Sequence, residues 1–281
     1  MKSTNQTKIT GFFGFFDILG FKEILDKNSL DYLCDIIGPI LDTLDNEAIT
    51  MGGIDPSQGL CLHQTNTLVF SDTIILYEKA SQMSNGLIPS IGATLIDKAA
   101  VLSRLAFENG VPLRGAISFG EYVVNDRYFL GKPIHEACVA EKKCNWSGVI
   151  LCDSAIKKMQ QQPPIQRVNW RGMENVPIEN NPFRQELIVN DYRHPTGKIS
   201  QYPALRWDDI LKVRQYVPEL KKLNGTEDNA FIHSRVKNAF SQHNKDINNE
   251  KTERKIENTF KFLVHCKNIP LSVRLQYIPS S

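Results

Sequence analysis

The chain has 281 residues, 41% hydrophobic and 23% charged, which excludes disordered and fibrous classes and allows a core that needs no staples. Basic and acidic side chains nearly cancel, leaving a net charge of +2, so the overall electrostatics argue for neither nucleic acid nor a membrane as partner. Six cysteines without CxxC or paired-histidine spacing indicate neither zinc nor disulfides; with a polar Met1–Thr10 and no apolar run of membrane-span length, the expectation is a cytoplasmic chain with reduced thiols.

Gly11–Ile18 (GFFGFFDI) is aromatic and almost uncharged, as a strand buried on both faces would be. A short helix follows Gly20. Leu30, Leu33, Ile37, Ile40 and Leu44 then recur at helical spacing, with Pro39 expected to kink or break the helix. Asn46–Gln64 reads as a loop. Thr67–Tyr77 (TLVFSDTIILY) is a strong strand signal whose central Ser-Asp-Thr predicts a tight hairpin or a functional site. Ile91, Leu95, Leu102 and Leu105 mark a helix that Asn109-Gly110 stops. Leu113–Phe119 and Glu121–Val124 read as a strand pair, followed by a turn at Asn125-Asp126.

Pro133 opens a helix through Lys142, Val149–Cys152 is a short strand, and Asp153 can cap the next helix. The order β-α-β-β-α-β-β-α-β-α predicts an α+β fold, an antiparallel-rich sheet with helices on one face and a ferredoxin-like core. From Pro163 to Asn190 the chain is irregular, with strands possible near Arg167–Trp170 and Glu186–Val189. Beyond Pro203 it turns to charged helices, Arg206–Leu223 and Lys251–Cys266, whose basic excess reads as a solvated face.

Asp17 and Asp72 are each the lone charge in an apolar strand. A carboxylate in such a setting normally has a cation or strong donors as partner. Capping a turn explains either one alone. Two on neighbouring strands point instead to a divalent-metal site, with Mg²⁺ or Mn²⁺ favoured by hard oxygen ligands.

DILGFK (Asp17–Lys22), FSDTIILY (Phe70–Tyr77), LRGAISFGE (Leu113–Glu121) and FLGKPIHEA (Phe129–Ala137) resemble, in order, the motifs of class III nucleotide cyclase catalytic domains. The similarity runs from Asp17 to Ala137, with a looser tail to Arg171, about half the chain. DILGF with SDT, and the Gly-Lys-Pro-Ile-His-Glu-Ala stretch, are most similar to the bacterial pyrimidine cyclases of Pycsar anti-phage defence. The resemblance implies a catalytic domain over 1–195, with a C-terminal helical extension over 196–281. It makes Asp17 and Asp72 ligands of two Mn²⁺ or Mg²⁺ ions, with the carbonyl of Ile18 as a third. Arg114 would contact phosphate, or else be a solvated strand residue. Arg171 falls where the family often has a Lys-Gly pair for the terminal phosphates, and is otherwise a surface loop arginine.

Two departures stand out. Where purine cyclases carry an Asn and, four residues on, a transition-state Arg, this chain has His135 and Val139. Near the base-reading Asp and Lys it has Tyr128 and Leu68, which favours a pyrimidine or an unselective pocket; Tyr128 could equally be a packing residue. The resemblance further implies a homodimer with active sites at the subunit interface, UTP as substrate, cyclic UMP as product and a separate cyclic-nucleotide-activated effector. CTP to cyclic CMP is the near alternative, and a catalytically silent nucleotide-binding dimer the alternative of another class.

Overall fold

The computed structural model describes residues 7–51, 65–78, 93–125, 127–161, 188–189, 203–205, 207 and 225–268. At its centre lies β1 (Thr7–Ile18), antiparallel to β3 (Thr73–Glu78) on one side and to β4 (Leu113–Val124) on the other. The aromatic run explains this position. Phe12 and Phe13 point to opposite faces, and both are fully buried. The centre of the sheet is therefore covered on both faces, which corrects the expectation of helices on one face alone.

The helices α1 (Phe21–Lys27) and α2 (Leu30–Met51) lead to the outer strand β2 (Thr65–Phe70), which pairs with β3 in the expected hairpin. Ser71, in the turn, takes a left-handed φ of 57°. Helix α3 (Ala93–Glu108) packs on α2 and returns the chain to β4. The strand order β2-β3-β1-β4, all antiparallel, is the ferredoxin-like βαββαβ arrangement. Beyond it, β5 (Phe129–Gly131) pairs with the far half of β4, and α4 (Lys132–Glu141) packs across β1 and β4. Then β6 (Gly148–Leu151) adds parallel to β4, and α5 (Asp153–Gln160) follows. The short strands β7 (Ile188–Val189) and β8 (Ala204–Leu205) complete the sheet, β8 between β6 and β7.

Four local expectations differ from the structure. Helix α2 runs through Pro39, because that residue is exposed and the carbonyl it leaves unbonded lies on the solvent side. The same helix takes in Asn46–Met51, expected as loop; 52–64 lie outside the described residues. Leu113–Val124 is one strand and not a pair, since Gly120 stays in register opposite Gly11 and Pro133 packs where its side chain would stand. Asp153 is the first helical residue of α5, with Cys152 at the cap position.

The C-terminal helices are α6 (Gly225–Ser241), which no sequence signal marked, and α7 (Glu250–Asn268). They are anchored to the core. Lys245 is buried and donates to the carbonyls of Gly110 and Ala239, and Phe262 packs against Trp146 with tilted rings, 4.2 Å between centroids. Of the expected helix Arg206–Leu223 only Trp207 is described; the rest, like Arg167–Trp170, lies outside the described residues. No helix among the described residues is long and apolar enough to cross a membrane.

Candidate active site

Strand register assembles the site. Asp17, next to last in β1, stands opposite Thr73 on one side and Arg114 on the other. Cross-strand partners share a face, so the Arg114 guanidinium reaches Asp17 directly: its Nε donates to Asp17 Oδ2 at 2.9 Å. The same Nε lies 2.5 Å from Oε1 of Glu141, on α4, whose side chain is only 2% exposed. That oxygen makes no aligned hydrogen bond, so the contact is an ion pair alone. Gly115, after Arg114, faces the other way, and its missing side chain leaves room for the Phe16 ring. Asp72 sits in the hairpin turn beside them, where its carbonyl accepts the Ile18 N–H at 2.9 Å.

Burial, set against these charges, governs the electrostatics. Burial raises the Asp17 pKa; Arg114 opposes the rise, Asp72 adds to it and Lys255, from α7, lowers it again. Glu141 is pushed up to about 7, chiefly by burial, with Arg114 opposing and Asp17 and Asp72 reinforcing. Lys255 is lowered by burial and by Arg114. Three carboxylates thus face two cations, an excess of one negative charge when all are ionised.

Such an excess suits a bound cation. Among the described residues no group of three or more His, Cys, Asp or Glu is arranged to hold a metal. Asp17 and Asp72 nonetheless match the way Mg²⁺ is commonly held, by one or two carboxylates with substrate phosphates and water completing the shell. The residues therefore fit an ion that arrives with an anionic substrate.

The structure brings Asp17, Ile18, Asp72 and Arg114 together. Tyr128 lies beyond the other end of β4, ten strand residues or about 33 Å from the Arg114 end. There its N–H, with that of Arg127, donates to Asn125 Oδ1, which forms the expected turn; Asp126 is outside the described residues. His135 and Val139 are exposed on α4, and Leu68 is partly exposed on β2. Arg171 lies outside the described residues.

Sequence reasoning missed Glu141 and Lys255. A signal existed for the first: Ala137, Ala140, Glu141 and Cys144 follow the three-and-four spacing of a buried face, so a carboxylate on that stripe needed a partner. Lys255 carried no comparable signal, because only tertiary packing brings α7 to β4.

No protein-family profile and no curated protein matches the sequence. Similar solved structures include the adenylyl cyclase CyaB from P. aeruginosa, at 11% identity and a TM-score of 0.44, over 61% of this chain and 92% of that one. The catalytic core of a rhodopsin-guanylyl cyclase of converted specificity, in complex with ATPαS, is similar at 14% identity and 0.44, over 60% and 93%. A class III adenylyl cyclase-like ATP-binding protein from Pseudomonas aeruginosa is similar at 16% and 0.40, over 54% and 35%.

Proposed function

We propose that this chain is a metal-dependent nucleotidyl cyclase that converts UTP to 3′,5′-cyclic UMP and pyrophosphate, with residues 1–195 as its catalytic part and 196–281 as an extension. One observation carries the reading. Three separated motifs, carrying Asp17, Asp72 and Arg114, converge at one end of the sheet on a charge cluster with room for a cation. Asp17, Asp72 and the Ile18 carbonyl would hold Mn²⁺ or Mg²⁺, which when bound activates the ribose 3′-hydroxyl and neutralises phosphate charge.

In the reaction the bond from the 3′-oxygen to the α-phosphorus forms as the bond from that phosphorus to pyrophosphate breaks; the hydroxyl proton leaves to solvent. Positioning and charge do most of this work. Arg114 is held by Asp17 and Glu141, so it keeps Glu141 as a partner when it turns to phosphate. Tyr128 and His135 would act on the nucleotide of a second copy across a homodimer interface, and Arg171 on the terminal phosphates. The product would act as a messenger to a separate effector in anti-phage defence.

A second reading, a silent nucleotide-binding dimer, is favoured by Val139, an exposed apolar residue that cannot stabilise phosphoryl charge. Purified protein incubated with Mn²⁺ and each of UTP, CTP, ATP and GTP separates the readings. Cyclic UMP as the dominant product supports the proposal, cyclic CMP moves it to cytidine, and no cyclic product from any of the four favours the silent dimer.

A further inference from the structure

We infer that Lys255, on the C-terminal helix α7, is a phosphate-binding residue of the Asp17–Arg114 site, giving the polyphosphate of a nucleoside triphosphate a second cation from the same chain. The inference rests on the nucleotide reading above and names a residue that the sequence motifs do not include.

Position is the first argument. Residues 145–148 join α7 to the start of β4. Ser147 N–H donates to Thr259 Oγ1 at 2.8 Å, Ser147 Oγ donates to the Leu113 carbonyl at 3.0 Å, and Gly148 stands in register with Arg114. Asn258 Nδ2 adds a bond to the Asn145 carbonyl at 2.9 Å. Lys255 is one helical turn before Thr259, whose hydroxyl donates to its carbonyl at 2.7 Å. The helix is thereby fixed with Lys255 beside the Arg114 end of the sheet, and the charges that act on its ammonium are Arg114, Asp17, Lys251 and Glu23.

Lack of a partner among the described residues is the second. The two fully buried lysines among the described residues are both satisfied. Lys98 donates to Asp45 at 2.7 Å and the Thr65 carbonyl at 3.1 Å; Lys245 donates to the carbonyls of Gly110 at 2.7 Å and Ala239 at 3.0 Å. Lys255 is half-buried, and no hydrogen bond or ion pair to a described residue holds its ammonium. Partial burial without a partner is costly, and the neighbouring guanidinium adds repulsion. Asp17, the carboxylate acting on it most strongly, already accepts from Arg114.

An anion with several oxygens resolves the conflict. A polyphosphate can take the Arg114 fork on one phosphate and the compact Lys255 charge on the next, while its remaining oxygens complete the shell of an ion at Asp17 and Asp72. The C-terminal helices thus complete the site in cis.

Titration of the full chain with inorganic tripolyphosphate, with and without Mn²⁺, tests this by calorimetry. Lys255→Met is expected to raise the tripolyphosphate Kd about tenfold, as loss of one charge-assisted contact would, and to leave uridine binding unchanged. Lys255→Arg is expected to restore most of the affinity, and Lys251→Met, exposed one turn earlier, to stay within about twofold of wild type. Lys255→Gln supplies the same comparison if the methionine variant does not fold. Wild-type tripolyphosphate affinity in a folded Lys255→Met or Lys255→Gln protein overturns the assignment. The readout needs no turnover, so the two claims fail separately. Loss of tripolyphosphate binding without any cyclic product in wild type keeps Lys255 and removes the cyclase reading; the reverse pattern does the opposite.

Discussion

At its Leu113 end β4 enters a set of charges that one chain supplies in full, with Arg114 held between Asp17 and Glu141 and Lys255 close by. At its Val124 end the same strand leads to Tyr128 and β5, beside the exposed apolar residue Leu130 at 60%. The first end is buried and cross-bonded; the second presents His135 and Leu130 to solvent. The contrast teaches where a second copy is needed. A cluster whose charges all come from one chain can form in a monomer, whereas residues that face outward can join a site only when another surface meets them.

Removing the first end should have the largest effect. Asp17→Ala is expected to lower cyclic-nucleotide formation by on the order of 10³-fold, the scale set by losing a preorganised electrostatic element. Stability should stay within about 1 kcal/mol of wild type, because Arg114 keeps Glu141 and the repulsion from Asp72 and Glu141 is relieved. Product at wild-type rate, with thermal melting as the folding control, would sink the metal-ligand assignment.

Mixing variants sharpens the comparison itself. His135→Ala alone is expected to cost on the order of 100-fold. If the two ends meet across a dimer, subunit exchange between Asp17→Ala and His135→Ala proteins creates one intact site per mixed dimer, and activity should recover to about a quarter of wild type. Activity no higher than the average of the separate variants would mean that the two ends do not cooperate between copies.

A smaller effect is expected at Tyr128. Tyr128→Ala should narrow the preference among UTP, CTP, ATP and GTP by about tenfold in competition assays while changing turnover with the preferred substrate less. Unchanged preference would make Tyr128 a packing residue.

The smallest effect is a pH dependence at the buried end. The folded-state pKa of Glu141, about 7, exceeds its ordinary 4.5, so between these values the folded protein binds more protons than the unfolded chain. The stability associated with the neutral form is full below about pH 4.5 and is lost as pH rises to about 7. Glu141→Gln cannot ionise. Its stability relative to wild type should therefore rise across that window by on the order of 1–3 kcal/mol and level off above it. A difference that stays constant from pH 4.5 to 7 would show that Glu141 is not strained by burial.

Much of the fold was legible because its signals are local. The aromatic run of β1, the Ser-Asp interruption that became the β2–β3 hairpin and the helix marked by Pro133 each follow from the short-range preferences of a few adjacent residues. Gly120 and Pro39 misled for the same reason. A turn or a break is their local preference, and pairing with Gly11 or a solvent-facing position overrode it.

At the site, sequence alone determined that Asp17 and Asp72 are lone carboxylates among apolar residues; the structure places Asp17 in β1 as expected and Asp72 in the turn between β2 and β3 instead of within a strand. Only tertiary structure decided which partners they meet. Arg114 reaches Asp17 through strand register, Glu141 through the packing of α4 on β4, and Lys255 through the bonds that tie α7 to Ser147. Asp17 and Arg114 are 97 positions apart, Ser147 and Thr259 are 112 apart, and Arg114 and Glu141 sit on separate elements. No periodicity in a sequence window spans such distances, because burial and charge compensation act between surfaces that meet only once the chain has folded.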